Sequence, residues 1–176
     1  MNVAMCLLTL MTVAQEEGIQ TYRDAKYKYT ITYSGTMHFL SKKGKDGWFL
    51  KIYKEGEGTG FNPNLNLTVE SIPEGAKVNT SKEYALGAIE TLKKDVFKDN
   101  TMKAAIDPME VKVGGKDFCK FVYGAEYQGM VLFVVQYCYY DAKERRALVW
   151  TVIDLAKNGL AHVAELERVI LSVKFQ

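Results

Sequence analysis

Apolar and polar residues alternate along the first third of the chain, and this alternation predicts β-strands. From 27 to 33, aromatic and β-branched residues alternate with polar ones, a pattern typical of a half-buried strand. Apolar stretches at 48–53 and 65–72 predict two further strands. A turn at 42–47 precedes the first of them, and a flexible loop at 56–63 separates the two. We therefore expect the first third of the molecule to be β-structure.

The hydrophobic period then changes to the 3.6 residues of a helix. Thr80, followed three positions later by Glu83, predicts a capping box in which the hydroxyl accepts from the N3 amide and the carboxylate reaches back to the cap. Apolar residues at helical spacing predict an amphipathic helix from 80 to about 98. The same spacing predicts a second amphipathic helix over 160–170, followed by a short strand at 173–175.

Two hairpins are the clearest signal in the sequence. Gly114-Gly115 and Gln128-Gly129 each suit a two-residue turn with positive φ between apolar, aromatic-rich runs. They predict three antiparallel strands at 109–113, 116–127 and 130–140. A charged loop then leads into a further strand at 147–153.

The second hairpin fixes a register. If Gln128 and Gly129 form the turn, Tyr127 pairs with Met130, and Cys119 lies opposite Cys138. Both faces of the paired strands are then apolar, so the sheet needs cover on both sides. We predict an α+β fold, a central antiparallel β-sheet covered by amphipathic helices on both faces.

Composition and charge narrow the class of protein. The chain has 176 residues, of which 48% are hydrophobic, enough to fill the core of one domain. Collagen-like, disordered and disulfide-scaffold classes are excluded. Its formal net charge is only +2, with 23 Lys and Arg against 21 Asp and Glu, so nothing in it indicates nucleic-acid binding.

An uncharged apolar run at 3–14 predicts export. It is too short to span a bilayer, which needs about 20 apolar residues, and it suits the core of a secretory signal. We predict a signal peptide over 1–14, cleaved before Gln15, and one mature domain over 15–176 in the periplasm or medium. The alternatives are a buried first strand or helix in a cytoplasmic protein, and a lipoprotein anchor at Cys6. An integral membrane protein is not expected.

Four segments carry a family resemblance. They are the strand at 29–33, the helix start at 81–84, the Gly115 turn with the strand at 118–123, and the ending at 170–175. In this order they resemble the PsbP/Mog1-like family, in its small exported bacterial branch. The resemblance implies an α/β/α sandwich over nearly all of 15–176. It also implies a non-enzymatic binding or accessory module that docks on a protein or cell-envelope partner.

Two other classes of function stay open. The resemblance also allows a chaperone-like module that shields hydrophobic segments of another protein, which would be cytoplasmic and have an exposed apolar groove. An enzyme of unrecognised type is the third class. However, the sequence has no nucleophile elbow, phosphate-binding loop or dinucleotide fingerprint. His38 and His162 stand apart, so we predict no metal, no cofactor and no catalytic residue.

One face of the central strands is a candidate partner-binding surface. It carries Tyr123, Tyr127, Gln136 and Tyr140, and tyrosine combines apolar area with a polar tip. The alternative is a helix-covered core in which Thr151 on the next strand satisfies the Gln136 amide.

A basic hairpin is the second candidate surface. Lys42, Lys43 and Lys45, with Lys51 and Lys54 nearby, would favour an acidic partner or anionic lipid. Alternatively, the lysines protect an exposed sheet edge from aggregation.

The two cysteines after residue 14 should be neighbours without a disulfide. The register puts Cys119 and Cys138 at a hydrogen-bonded pair, where Cα atoms lie about 5.5 Å apart. Side chains at such a pair stand roughly parallel, so closing the bond would strain the ladder. A bulge in either strand would change this register.

Overall fold

The computed structural model describes residues 18–41, 50–55, 60–96, 102–158 and 160–176. The predicted signal peptide at 1–14 and the predicted lysine site at Lys42, Lys43 and Lys45 lie outside these residues. The strands are Ile19–Asp24 (β1), Tyr29–Ser34 (β2), His38–Ser41 (β3), Leu50–Tyr53 (β4), Asn64–Ser71 (β5), Met102–Val113 (β6), Lys116–Tyr127 (β7), Met130–Asp141 (β8), Arg146–Leu155 (β9) and Lys174–Phe175 (β10). The α-helices are Ser81–Thr91 (α1) and Ala161–Leu171 (α2).

The strands of the described residues form two antiparallel sheets. The larger sheet has seven strands in the order β3-β4-β5-β9-β8-β7-β6, and the smaller has three in the order β1-β2-β10. The chain is therefore an α+β protein built mainly of antiparallel sheet, as the sequence predicts.

The predicted hairpins and their register are confirmed. Gly114 and Gly115 have φ of 56° and 79°, and Gln128 and Gly129 have φ of 51° and 75°, as two-residue turns of this kind require. Tyr127 pairs with Met130, and Cys119 pairs with Cys138. A Cβ on Gly114 would lie 2.5 Å from the backbone oxygen of Val173, so glycine is also required where this hairpin meets the C-terminal segment.

Several boundaries differ from the sequence prediction. β1 and β3 are short edge strands with little apolar alternation. The strand predicted at 27–33 is β2, which pairs with β1 and β10 and does not join the larger sheet. β6 begins at Met102, well before Pro108. Proline is tolerated there because β6 is an edge strand, with register shifts between Ala104 and Ile106 and between Ile106 and Met109. The first helix stops being α-helical at Thr91 and continues as a π-turn to Val96.

The α1 side of the larger sheet has its own apolar core. α1 contacts β6, β7 and β8. Its buried Tyr84, Ala85 and Ile89 pack against inward-facing residues of the sheet. These include Cys119, Phe121, Tyr123, Leu132, Val134, Cys138, Tyr140 and Val149.

The opposite face is covered by α2 together with the smaller sheet. α2 contacts β9, β5 and β2. The core here centres on Trp150, which has no exposed surface and meets the ring of Tyr29 edge-on at a centroid distance of 5.4 Å. Its other members include Ile31, Phe118, Val122, Val135, Leu148, Val152, Leu166 and Ile170.

Cys119 and Cys138 are both buried free thiols. Burial raises the pKa of each thiol above its ordinary value. Both sulfurs therefore stay protonated at neutral pH, which makes them poor nucleophiles.

Charge substitutions test whether both sheet faces are covered. Val122, on the α2 face, and Val134, on the α1 face, are both buried. Val122→Asp and Val134→Asp should each unfold the domain, because an unpaired buried carboxylate costs several kcal/mol against a total stability of about 5–15 kcal/mol. Thermal melting checks this. Val131→Asp is the control, since Val131 on the same sheet is 59% exposed and should tolerate the change. A core variant that melts within a few degrees of wild type would mean that its face is open.

Candidate functional site

The four residues predicted for a partner-binding face do not form one surface. Tyr123 and Tyr140 are only 3% and 7% exposed, because α1 packs over the strands that carry them. Tyr127 is 48% exposed but lies at the β7–β8 turn. Gln136 is half-buried. The alternative of a helix-covered core therefore describes the two buried tyrosines, whereas Gln136 lines the groove described below.

Gln136 lies on β8 at the edge of the part of the sheet that α1 covers. Its Nε2 donates to Thr151 Oγ1 at 3.1 Å, the predicted contact. The strand register places one row of residues side by side across the sheet. From β7 to β4 this row consists of Phe121, Gln136, Thr151, Asn66 and Lys51. The row is thus apolar beneath α1 and polar across β8, β9, β5 and β4, as expected where a sheet face emerges from its helix.

A groove of about 480 Å³ opens at this boundary. One wall is the side of α1 that carries Gly87, and the other is the segment 72–78 after β5. Gln136 and Val149 of the sheet lie between the walls. The remaining apolar lining comes from Ile72, Pro73, Ala76, Val78, Tyr84, Ala88 and Leu92.

Hydrogen bonds fix the start of α1. The Glu83 backbone N–H donates to Thr80 Oγ1 at 3.1 Å, which confirms the hydroxyl half of the predicted capping box. The Glu83 carboxylate instead accepts from the Asn79 N–H at 2.7 Å, one residue before the cap. The Ser81 hydroxyl donates to the Asp117 carbonyl oxygen at 2.7 Å, and accepts from the Tyr140 N–H at 3.0 Å. The helix is thereby anchored to both β7 and β8.

Both walls also form hydrogen bonds with neighbouring parts of the fold. Tyr84 OH donates to Glu70 Oε2 at 2.6 Å, joining α1 to the end of β5. Burial, reinforced by this hydrogen bond and by the Glu70 charge, raises the pKa of Tyr84 well above its ordinary value, so the phenol remains a donor. On the other wall, Arg145 Nη2 donates to the Pro73 carbonyl at 2.5 Å, and the Ile72 N–H donates to the Arg145 carbonyl at 2.8 Å. These hydrogen bonds connect each wall to the structure beside it.

The lining determines what the groove can hold. Among the described residues, the charged side chains that line it are Glu70 and Glu83, both acidic, and no lysine or arginine does. The remainder is mostly apolar. A groove of this kind suits apolar side chains accompanied by a positive charge.

Gly87 lines the groove without contributing a side chain. It lies in the interior of α1, where glycine is about 1 kcal/mol less favourable than alanine. A Cβ added here would meet nothing within 4 Å. The helical periodicity does not point to Gly87, and its signal in the sequence is that of an isolated glycine inside an amphipathic helix.

The lysines of the basic hairpin that the structure describes are engaged. Lys54 Nζ forms an ion pair with Glu165 of α2 at 2.7 Å. Lys51 Nζ lies 5.9 Å from the centre of the Tyr53 ring. Both side chains therefore contact other parts of the protein.

Asp154 and His162 form the chain's clearest acid–imidazole contact, with His162 Nδ1 3.1 Å from Asp154 Oδ2. Asp154 is fully buried and also accepts from the Leu155 N–H and Asn158 Nδ2, each at 2.7 Å. Three donors satisfy this carboxylate, so the cluster fastens the start of α2 to the end of β9. In the described part of the chain, no group of three or more His, Cys, Asp or Glu could hold a metal ion. Nor is any described helix long and apolar enough to cross a membrane.

Comparison with known proteins identifies the fold. No protein-family model and no curated protein sequence matches the chain. Among similar solved structures, the cyanobacterial PsbP (CyanoP) of Synechocystis sp. PCC 6803 is 14% identical with a TM-score of 0.64, covering 96% of this chain and 99% of that one.

Two further structures agree. LpqN of Mycobacterium tuberculosis, involved in cell envelope biogenesis, is 9% identical with a TM-score of 0.62, covering 90% of this chain and 91% of that one. The Ran-binding protein Mog1p of Saccharomyces cerevisiae is 8% identical with a TM-score of 0.58, covering 90% and 96%. The chain has the PsbP/Mog1-like fold, as its sequence predicts.

Replacing Gly87 tests the open space in the groove. Gly87→Ala should raise the free energy of unfolding by about 0.5–1 kcal/mol, because alanine favours the helix and its methyl group meets no neighbour. Differential scanning calorimetry should show Tm rising by roughly 1–4 °C. Gly75→Ala is the control: it too has open space, but its φ of +90° strains alanine, so Tm should fall. A lower Tm for Gly87→Ala would show that the added methyl group meets a neighbour and that this side of the groove is closed.

Proposed function

We propose that this protein is a non-enzymatic binding module that takes a segment of a partner protein into the groove between α1 and residues 72–78. The observation that carries the proposal is a mostly apolar groove of about 480 Å³ whose α1 wall has no side chain at Gly87. Its volume lies in the range of ordinary ligand sites, roughly 300–1,000 Å³.

The lining indicates the chemistry of the partner segment. Apolar side chains would pack against Ile72, Val78 and Leu92, and the Gln136 amide offers a polar contact between the walls. Glu70 and Glu83 supply negative charge. We therefore propose a segment that combines apolar residues with Lys or Arg, since complementary charge fixes orientation and speeds association.

The fold comparisons support a binding role. Mog1p is named as a Ran-binding protein, and LpqN is described as involved in cell envelope biogenesis. The same fold thus occurs in a protein that acts by binding another. Because fold alone does not determine function, the proposal for this chain depends on the groove.

We further propose that the mature domain, 15–176, acts outside the cytoplasm on a protein or envelope partner. The uncharged apolar run at 3–14 supports this location, since its length suits a secretory signal. The PsbP/Mog1-like fold is compatible with it.

Selection from a phage-displayed random peptide library tests the groove. The full chain should enrich peptides that combine apolar residues with Lys or Arg. Gly87→Tyr should weaken the selected peptides about tenfold or more by filling the groove. Leu86→Tyr is the matched control, because Leu86 is exposed on α1 but does not line the groove. Circular dichroism should show both variants folded.

Three outcomes would count against this function. One is that no peptide is enriched, and another is that Gly87→Tyr and Leu86→Tyr weaken binding equally. The third is enrichment of apolar peptides without Lys or Arg, together with suppression of aggregation of a denatured protein. That result would favour the chaperone-like alternative, whose expected apolar groove is compatible with the same site.

Export is tested separately. The full chain, tagged at its C-terminus and produced in a bacterial host, should appear in the periplasm or medium with Gln15 as its N-terminal residue. Cell fractionation and N-terminal sequencing measure this. An uncleaved chain beginning at Met1 in the cytoplasm would contradict export, whatever the groove binds.

A further inference from the structure

A second cavity, of about 550 Å³, lies away from the groove and shares no lining residue with it. It is formed where three chain reversals meet: the β1–β2 turn, the β6–β7 turn and the β8–β9 turn, with the end of β10 beside them. We name it the basic pocket. Its cationic lining residues are Lys26, Lys28, Lys116, Lys143 and Arg146.

Positive charge is concentrated in this pocket. Five cationic side chains line it against two carboxylates, Asp141 and Glu144, an excess of three. The whole chain has a formal net charge of only +2. The remaining residues are therefore close to neutral or slightly acidic in total, and the positive excess of the chain is located at this pocket. Like charges gathered around one cavity repel one another unless an anion lies between them.

Most of these cations are not neutralised internally. Among the described residues, Lys28, Lys116 and Lys143 make no side-chain hydrogen bond or ion pair. Arg146 Nη2 reaches Asp141 Oδ2 at 3.4 Å, yet its Nε is buried with no acceptor. Unused guanidinium donors are suited to phosphate oxygens.

The backbone that carries the cations is held in place. In the β1–β2 turn, Asp24 Oδ1 accepts from the Tyr27 N–H at 2.6 Å, and the Lys28 carbonyl accepts from the Gln176 N–H at 2.9 Å. The ring of Tyr27 lies 4.9 Å from Lys26 Nζ and 5.0 Å from the Arg146 guanidinium. The turn backbone and the charged groups of Lys26 and Arg146 are thus positioned before any ligand arrives, which lowers the entropic cost of binding.

Lys28 occupies a position that glycine would suit better. Its φ is 56°, in the left-handed region that lysine adopts only at a cost. The turn therefore retains a cationic side chain at a position where the backbone favours glycine. Replacing Lys28 with glycine removes the charge and suits the backbone, so an effect of this change on binding can be distinguished from an effect on folding.

We infer that the basic pocket binds a polyvalent phosphate group. A charge excess of three exceeds what a single carboxylate would neutralise, whereas a phosphate monoester carries about −1.5 to −2 and a diphosphate more. The group would sit among Lys28, Lys116 and Arg146. It could belong to a free phosphorylated molecule or to a lipid headgroup, and the chemistry recognised is the same.

Calorimetry with sodium tripolyphosphate tests the inference on the full chain at low salt. Wild type should bind with Kd below about 1 mM, and the double variant Lys28→Gly/Lys116→Gln should bind about tenfold or more weakly. Because glycine relieves the strain at 28, Lys28→Gly alone should melt no lower than wild type. Lys77→Gln is the control: it removes a lysine that lines neither cavity and should change Kd less than about twofold.

Vesicle flotation distinguishes the sources of phosphate. Flotation with vesicles containing phosphatidic acid, whose headgroup is a phosphate monoester, lost in the double variant and competed by tripolyphosphate, would assign the pocket to a headgroup. Tripolyphosphate binding without flotation would assign it to a free molecule. The inference is overturned if neither probe binds, or if Lys77→Gln weakens binding as much as the double variant does. Either result leaves the peptide groove untouched, since the two sites share no residue.

Discussion

The structure depends on one constraint: the central strands are apolar on both faces. Trp150 and Val149 are neighbours in β9, yet one belongs to the core beneath α2 and the other to the core beneath α1. A sheet of this kind must be covered twice. One helix covers each face of the larger sheet. The smaller sheet, in which β10 pairs with β2, completes the cover on the α2 side.

The cover on the α1 side is incomplete for geometric reasons. A helix of 11 residues is roughly 16 Å long. Seven strands span roughly 29 Å at a spacing of about 4.8 Å. The main contacts of α1 with the sheet are with β6, β7 and β8, and the row of residues through Gln136 is polar from β8 to β4. The proposed groove is the uncovered space between α1 and the segment 72–78.

The sequence could predict the hairpins because their turn chemistry is local: Gln128-Gly129 determines the register as far as Cys119 and Cys138. The groove could not be predicted in the same way. Its outer wall has no hydrophobic period, and it depends on the distant contact between Arg145 and the Pro73 carbonyl. Similarly, the basic pocket joins three turns far apart in the chain, and burial of Tyr123 depends on where α1 lies.

The central claim is that the face of α1 bearing Gly87 meets a partner protein. Photo-crosslinking in cells of the source organism tests it most directly, with p-benzoylphenylalanine placed at position 91 in one variant and at position 86 in another. Thr91, one helical turn after Gly87, is exposed and lines the groove, and Leu86 does not line it. We predict a discrete crosslinked polypeptide from position 91 and none from position 86. Identical patterns from both positions, or no adduct from either, would contradict the claim.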